Sequence, residues 1–121
     1  MLITAQKEFQ LFVKDKAPVI CAYVRNMSYD DYDNHEQLTP ICLPLGFTED
    51  QYFEFLSKLN FTYDSGYGSQ QLDGMIWFKD GSWATRGEYD GSEWWEYHKL
   101  PQVPTYLYPE KPEYDSADQD R

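Results

Sequence analysis

The densest group of potential ligands is the run Tyr29-Asp30-Asp31-Tyr32-Asp33-Asn34-His35-Glu36, in which four carboxylates, an amide and an imidazole fall within eight residues. Oxygen donors at that density suit a hard cation such as calcium. A calcium loop, however, needs a central glycine and a closing glutamate, and neither falls in place. The run therefore reads as a solvated acidic loop, with Asp30, Asp31 and Asp33 as candidates for contact with a basic partner, and no metal site is expected. His98, close to Glu96 and Glu93, has the makings of an acid/base pair. Yet seven acids lie between residues 61 and 100, so an imidazole near some carboxylate needs no catalytic explanation. Glu93 and Glu96 on one strand would also point to opposite faces.

Other chemistries fit less well. The two histidines and two cysteines match no zinc-binding spacing, and no nucleophile elbow is present. Asp64-Ser65-Gly66-Tyr67-Gly68-Ser69 has two glycines of a phosphate loop but no third in register and no following lysine, so it reads as a flexible loop. No motif implies a cofactor. Cys21 and Cys42 are expected to be reduced thiols, as two cysteines in a cytosolic chain usually are.

The chain has 121 residues and a net charge of −11, from 21 acids against 10 lysines and arginines. Its first 28 residues are net +2, residues 29–60 net −6, residues 61–100 net −4 and the remainder net −3. Phosphate affinity comes from Lys and Arg, so this balance disfavours direct binding to nucleic acid or to anionic lipid and favours a basic protein partner. No apolar run approaches the length of a membrane span, and the opening residues lack the basic and apolar regions of a secretory signal, so a cytoplasmic location is expected. The aromatic share is 18%, with eleven Tyr, seven Phe and four Trp, enough for a few large side chains to build the core.

Candidate residues need elements to position them. Ala5, Phe9, Phe12 and Val13 recur at helical spacing and predict an amphipathic helix over 4–14. Residues 18–24, rich in β-branched and aromatic side chains, read as a well-buried strand entered at Pro18. Residues 38–47 are apolar but interrupted by Pro40, Pro44 and Gly46, which suits extended chain packed on the domain rather than a central strand. A second helix starts at Thr48, where Gln51 completes a capping box and Phe47 can staple onto Tyr52; Asn60 is expected in the left-handed closing position. A short strand is expected over 61–63. Together these give an α+β fold, an antiparallel β-meander of three or more strands packed against two α-helices. One domain is expected over 1–109, with an acidic, disordered tail over 110–121.

The meander itself is the clearest signal. Residues 74–100 contain three β-rich runs separated by Asp80-Gly81 and Asp90-Gly91, strong hairpin dipeptides. With two-residue loops at both turns, Phe78 lies opposite Trp83, Trp77 opposite Ala84, Arg86 opposite Trp95 and Gly87 opposite Trp94. One face then carries Ile76, Phe78, Trp83 and Trp94, and the other Met75, Trp77, Trp95 and Tyr97. A three-residue loop would shift this pairing. Glu88 falls opposite Glu93, a like-charge pair that counts against the register.

Residues 76–104, with the strings Lys79-Asp80-Gly81, Arg86-Gly87-Glu88-Tyr89-Asp90-Gly91 and Trp94-Trp95, resemble small proteins encoded by tailed bacteriophages and prophages. The resemblance covers about a quarter of the chain. It implies a context in which small acidic proteins occupy host proteins, including nucleic-acid-binding defence factors, in the host cytoplasm. It carries no assigned activity onto any residue. Many acids with many aromatics suit a protein-binding surface, since aromatics anchor while carboxylates steer. The expected binding residues are Trp77, Arg86, Glu88, Asp90, Glu93, Trp94, Trp95 and Tyr97, with Asp30, Asp31 and Asp33. The favoured function is thus a non-enzymatic binding module. One alternative is a small enzyme or ligand-binding domain that uses Arg86 for an anion or His98 as acid/base; another is a structural or accessory phage component.

Overall fold

The computed structural model of the chain describes residues 2–27, 39–64 and 70–109. The loop expected over 27–37, with Asp30, Asp31 and Asp33, the glycine loop after Asp64, and the tail expected over 110–121 lie wholly or almost wholly outside them. In chain order the elements are β1 (Leu2–Thr4), α1 (Ala5–Val13), β2 (Val19–Asn26), β3 (Ile41–Leu43), α2 (Glu49–Lys58), β4 (Thr62–Asp64), β5 (Leu72–Phe78), β6 (Trp83–Tyr89) and β7 (Ser92–His98). A 3₁₀ turn at Thr105–Leu107 follows.

The expected α+β architecture is present. A five-stranded antiparallel sheet in the order β3-β2-β5-β6-β7 contains the meander, and both helices pack on one of its faces. A separate two-stranded pair joins β1 to β4. β1 is not legible locally, because a three-residue strand running straight into a helix has no room for a period, and its partner lies some sixty residues away.

Both helices start as their residues dictate. The Thr4 side chain accepts the Lys7 N–H at the start of α1, and its stripe buries Ala5 and Phe9. At α2, Thr48 accepts the Gln51 N–H at 3.1 Å while Gln51 accepts the Thr48 N–H at 2.8 Å, a complete capping box. Phe47 stacks on Tyr52 at 5.8 Å as the staple. The far end differs from expectation: Asn60 is not left-handed, and the helix closes on Leu59, whose N–H reaches back to the carbonyls of Phe55 and Leu56. A tightened last turn satisfies the terminal carbonyls without a positive φ.

The β6–β7 hairpin has the expected two-residue turn, with Asp90 at φ 53° and Gly91 at φ 89°, and pairs Arg86 with Trp95 and Gly87 with Trp94. The β5–β6 hairpin does not. Its loop holds three residues, with the Phe78 N–H bonded to Ser82 O at 2.9 Å and Gly81 at φ 91°, so Trp77, not Phe78, faces Trp83. A slip of one residue inverts the faces of everything beyond it relative to β5. The inner face therefore carries Ile76, Phe78, Trp95 and Tyr97, and the outer face Met75, Trp77, Trp83 and Trp94.

Phe9, Val24, Leu43, Phe55, Leu59, Leu72, Ile76 and Phe78 fill the space between helices and inner face. Phe9 meets Phe55 at 5.3 Å and Trp95 at 6.4 Å, both edge to face. β2, expected to be well buried, is buried only at Ala22 and Val24. It sits between β3 and β5, but helices cover a single face of the sheet, so its alternate residues Cys21, Tyr23 and Arg25 turn outward.

Candidate protein-binding surface

The register assembles the outer face rung by rung. Cys21, Trp77, Trp83 and His98 form one row across β2, β5, β6 and β7. Cys42, Tyr23, Met75, Thr85 and Glu96 form the next, which includes β3, and Arg25 with Asp73 lies beyond. Tyr23 and Trp77 approach with ring centres 6.3 Å apart, and Trp83 stacks on His98 at 5.5 Å. The His98 Nε2 and Thr85 Oγ1 are 2.8 Å apart, which fixes the imidazole plane. Trp94 lies over Gly87: a Cβ at that glycine would stand 2.7 Å from the indole Nε1. The missing side chain lets the indole lie flat on the strand, and Trp94 keeps 39% exposure.

Charge on this face is mostly negative. The Arg25 guanidinium is tied to Asp73 at 2.9 Å, while Glu96 is exposed and Asp90 stands exposed in the hairpin turn. Of the expected binding residues, Trp77 and Trp94 are on the outer face and Asp90 lies in the turn at its end, while Glu88, opposite Glu93, is exposed in the inner-face row. Cys21 and Cys42 are both free thiols, and burial raises the Cys21 pKa.

Arg86, Glu93 and Trp95 are not on any surface, which corrects their assignment as contact residues. The side chains of Arg86 and Glu93 are 0% and 1% exposed, and Trp95 is 6% exposed. Arg86 Nη2 bonds Glu93 Oε1 at 2.6 Å and the Tyr63 hydroxyl at 2.9 Å, and Nη1 bonds Glu8 Oε1 at 3.1 Å. Tyr63 donates to the same Glu8 oxygen. The Trp95 ring lies 4.9 Å from the guanidinium carbon. Glu93 also accepts the backbone N–H groups of Gln71 and Leu72. Arg86 faces inward because it pairs with Trp95 on the inner face, and its charge is affordable there only because two carboxylates and a phenol surround it. Burial opposes that charge, but Glu8, Glu93 and Tyr63 outweigh it and raise the Arg86 pKa. Burial, reinforced by the bond to Glu8, pushes the Tyr63 hydroxyl well above its usual range. The Glu88–Glu93 pair is present, and its repulsion is offset because Glu93 turns onto Arg86. Tyr97 is half-buried between Phe12 and Phe78.

The surface residues that sequence reasoning did not place among the contacts are Tyr23, Met75, Trp83 and His98. The alternation of Cys21, Tyr23 and Arg25 with Ala22 and Val24 was the available signal. Three concavities lined by described residues lie elsewhere, around Cys42 and Lys58, around Val19 and Tyr52, and around Asp80 and Lys99; neither Arg86 nor His98 lines any of them. Among the described residues, no group of three or more His, Cys, Asp or Glu side chains is arranged to hold a metal ion, and no helix is long and apolar enough to cross a membrane. Comparison with protein-family models, curated proteins and solved structures found no match.

Proposed function

We propose that this chain is a non-enzymatic protein-binding module that uses the outer face of its sheet to recognise a basic protein surface. The observation that carries this reading is the asymmetry of the sheet. Helices close its inner face, while Tyr23, Trp77, Trp83, Trp94 and His98 line the other, against which no described helix packs. A sheet face that gathers aromatic rings with carboxylates beside them has the composition of a recognition surface, with flat rings as anchors and charge to steer the encounter. The net charge of −11 favours a basic partner.

The resemblance of residues 76–104 to phage proteins supports a host nucleic-acid-binding or defence protein as that partner, because such proteins carry basic phosphate-binding surfaces. The enzyme alternative loses support at both of its residues. Arg86 is buried and its charge already paired, and His98 is stacked and hydrogen-bonded on the opposite face.

Affinity capture from a bacterial lysate, repeated with Trp94→Ser, tests the reading. A partner whose retention falls as salt rises from about 50 to 500 mM, and which the folded Trp94→Ser variant fails to hold, is the expected result. A partner held equally by both proteins, or one indifferent to salt, overturns it.

A further inference from the structure

The two edges of the five-stranded sheet are built differently. At one end β3 has three residues set between Pro40 and Pro44, so little backbone is open to pairing. At the other end β7 has seven residues, Ser92–His98, without proline, glycine or lysine, and pairs with β6 in continuous register without a bulge. Natural sheets usually protect a long, regular edge with such devices. β7 carries instead only Glu96 on the outer face and the inward-pointing Glu93, whose charge Arg86 neutralises.

The hairpin geometry says which groups that edge presents. In a two-residue hairpin the residues flanking the turn, Tyr89 and Ser92, form a hydrogen-bonded pair, and bonded pairs then alternate. Trp94, Glu96 and His98 therefore spend their backbone groups on β6. Glu93, Trp95 and Tyr97 direct theirs outward, and no described residue receives them. The same parity holds on the next strand, where Ser82 O bonds Phe78 N across to β5. The segment after His98 leaves the edge open, since residues 99–109 are exposed throughout.

We propose that the outward edge of β7 takes up an extended segment of the partner as a sixth strand, with basic side chains at alternate positions. This deepens the reading above, on which it rests for the partner's charge. A strand laid along β7 would place alternate side chains beside Trp94 and Glu96 on the outer face, where arginine finds a carboxylate and an indole. The intervening side chains fall beside Tyr97 and Phe12 on the inner side, where apolar residues fit. Charge selects this occupant over a second copy: each chain is net −11, and antiparallel pairing of two β7 strands would set the exposed Glu96 carboxylates of both copies on one face.

The test uses the full chain and an acetylated, amidated hexapeptide of alternating Arg and Val, with hydrogen exchange read residue by residue. The expected result is that peptide slows exchange of the Glu93, Trp95 and Tyr97 amides by about tenfold or more. N-methylation of one alternate set of peptide amides should abolish this, and methylation of the other set should not, a change that leaves the protein's own fold untouched. Peptide that binds with those three amides unprotected, or that binds equally whichever set is methylated, overturns the proposal. So does concentration-dependent protection of the same amides in the protein alone, which would make a second copy the occupant. If strand addition fails while Trp94→Ser still releases a captured partner, the face reading stands alone; if the peptide protects the edge while the partner ignores Trp94→Ser, only the face reading falls.

Discussion

Arg86 and Glu93 sit diagonally across β6 and β7 on the inner face and meet at 2.6 Å with both side chains out of solvent. Each has further obligations. Arg86 bonds Glu8 and Tyr63, and Glu93 holds the backbone of Gln71 and Leu72, so one pair ties α1, β4 and the start of β5 to the last two strands. Removing Arg86 leaves Glu93 buried without a counter-charge, and removing Glu93 leaves the guanidinium with Glu8 alone. Arg86→Met or Glu93→Leu should each cost about 3–5 kcal/mol in chemical denaturation. The double variant should cost less than the two losses combined, and strict additivity would show that the pair is not coupled.

Tyr63 makes the same cluster sensitive to alkali. Its folded-state pKa is raised, first by burial and then by its bond to Glu8, so the stabilisation is complete below the usual tyrosine value of 10.0 and is lost as pH rises through the folded value. Tyr63→Phe should be less stable at neutral pH, having lost two hydrogen bonds. Its melting temperature should then fall less steeply than that of the parent between about pH 9 and 11.5.

The Asp90-Gly91 turn needs a left-handed backbone at both central positions. Gly91→Ala should lose about 1 kcal/mol, and Asp90→Asn should be neutral or slightly stabilising, because asparagine tolerates that region at least as well. Equal losses for both would argue against this turn geometry.

Gly87→Ala should act on the surface more than on the core. The added methyl meets the Trp94 indole and lifts it from the strand. The expected signature is a change in tryptophan fluorescence with weakened partner retention, while the fold persists with a loss of about 1–2 kcal/mol.

Thr48→Ala should destabilise by about 1 kcal/mol, since both arms of the capping box run through that residue's side chain or depend on its geometry. A variant within a few tenths of the parent would mean that the staple of Phe47 on Tyr52 suffices.

Legibility in the sequence followed the range of the interaction. The Thr48 cap, its staple and the Asp90-Gly91 turn depend on residues within a few positions of one another, and each stands where its residues put it. The first hairpin failed at one point. Asp80-Gly81 admits two loop lengths, and the choice was made by Asp80 accepting the Ser82 N–H at 3.0 Å with Gly81 taking the positive φ, a local bond that the dipeptide alone does not encode. That single residue decided which tryptophans face solvent. Arg86 was misplaced for a different reason. A charged side chain on a strand reads as exposed unless its partners are known, and Glu8 stands 78 residues away from it.

The same separation bears on how the chain reaches its fold. The β6–β7 hairpin closes through a two-residue turn and can form early, but Glu8 finds its guanidinium only once β6 has been synthesised. Until then the amphipathic α1 has Phe55 against Phe9, but neither the Trp95 ring nor the cation that neutralises its carboxylate. The contacts of the first helix are thus completed only when β6 and β7 are in place. A nascent chain halted before Arg86 would hold that helix by α2 and β4 alone, with Glu8 uncompensated and the Trp95 side of Phe9 open to chaperones and proteases.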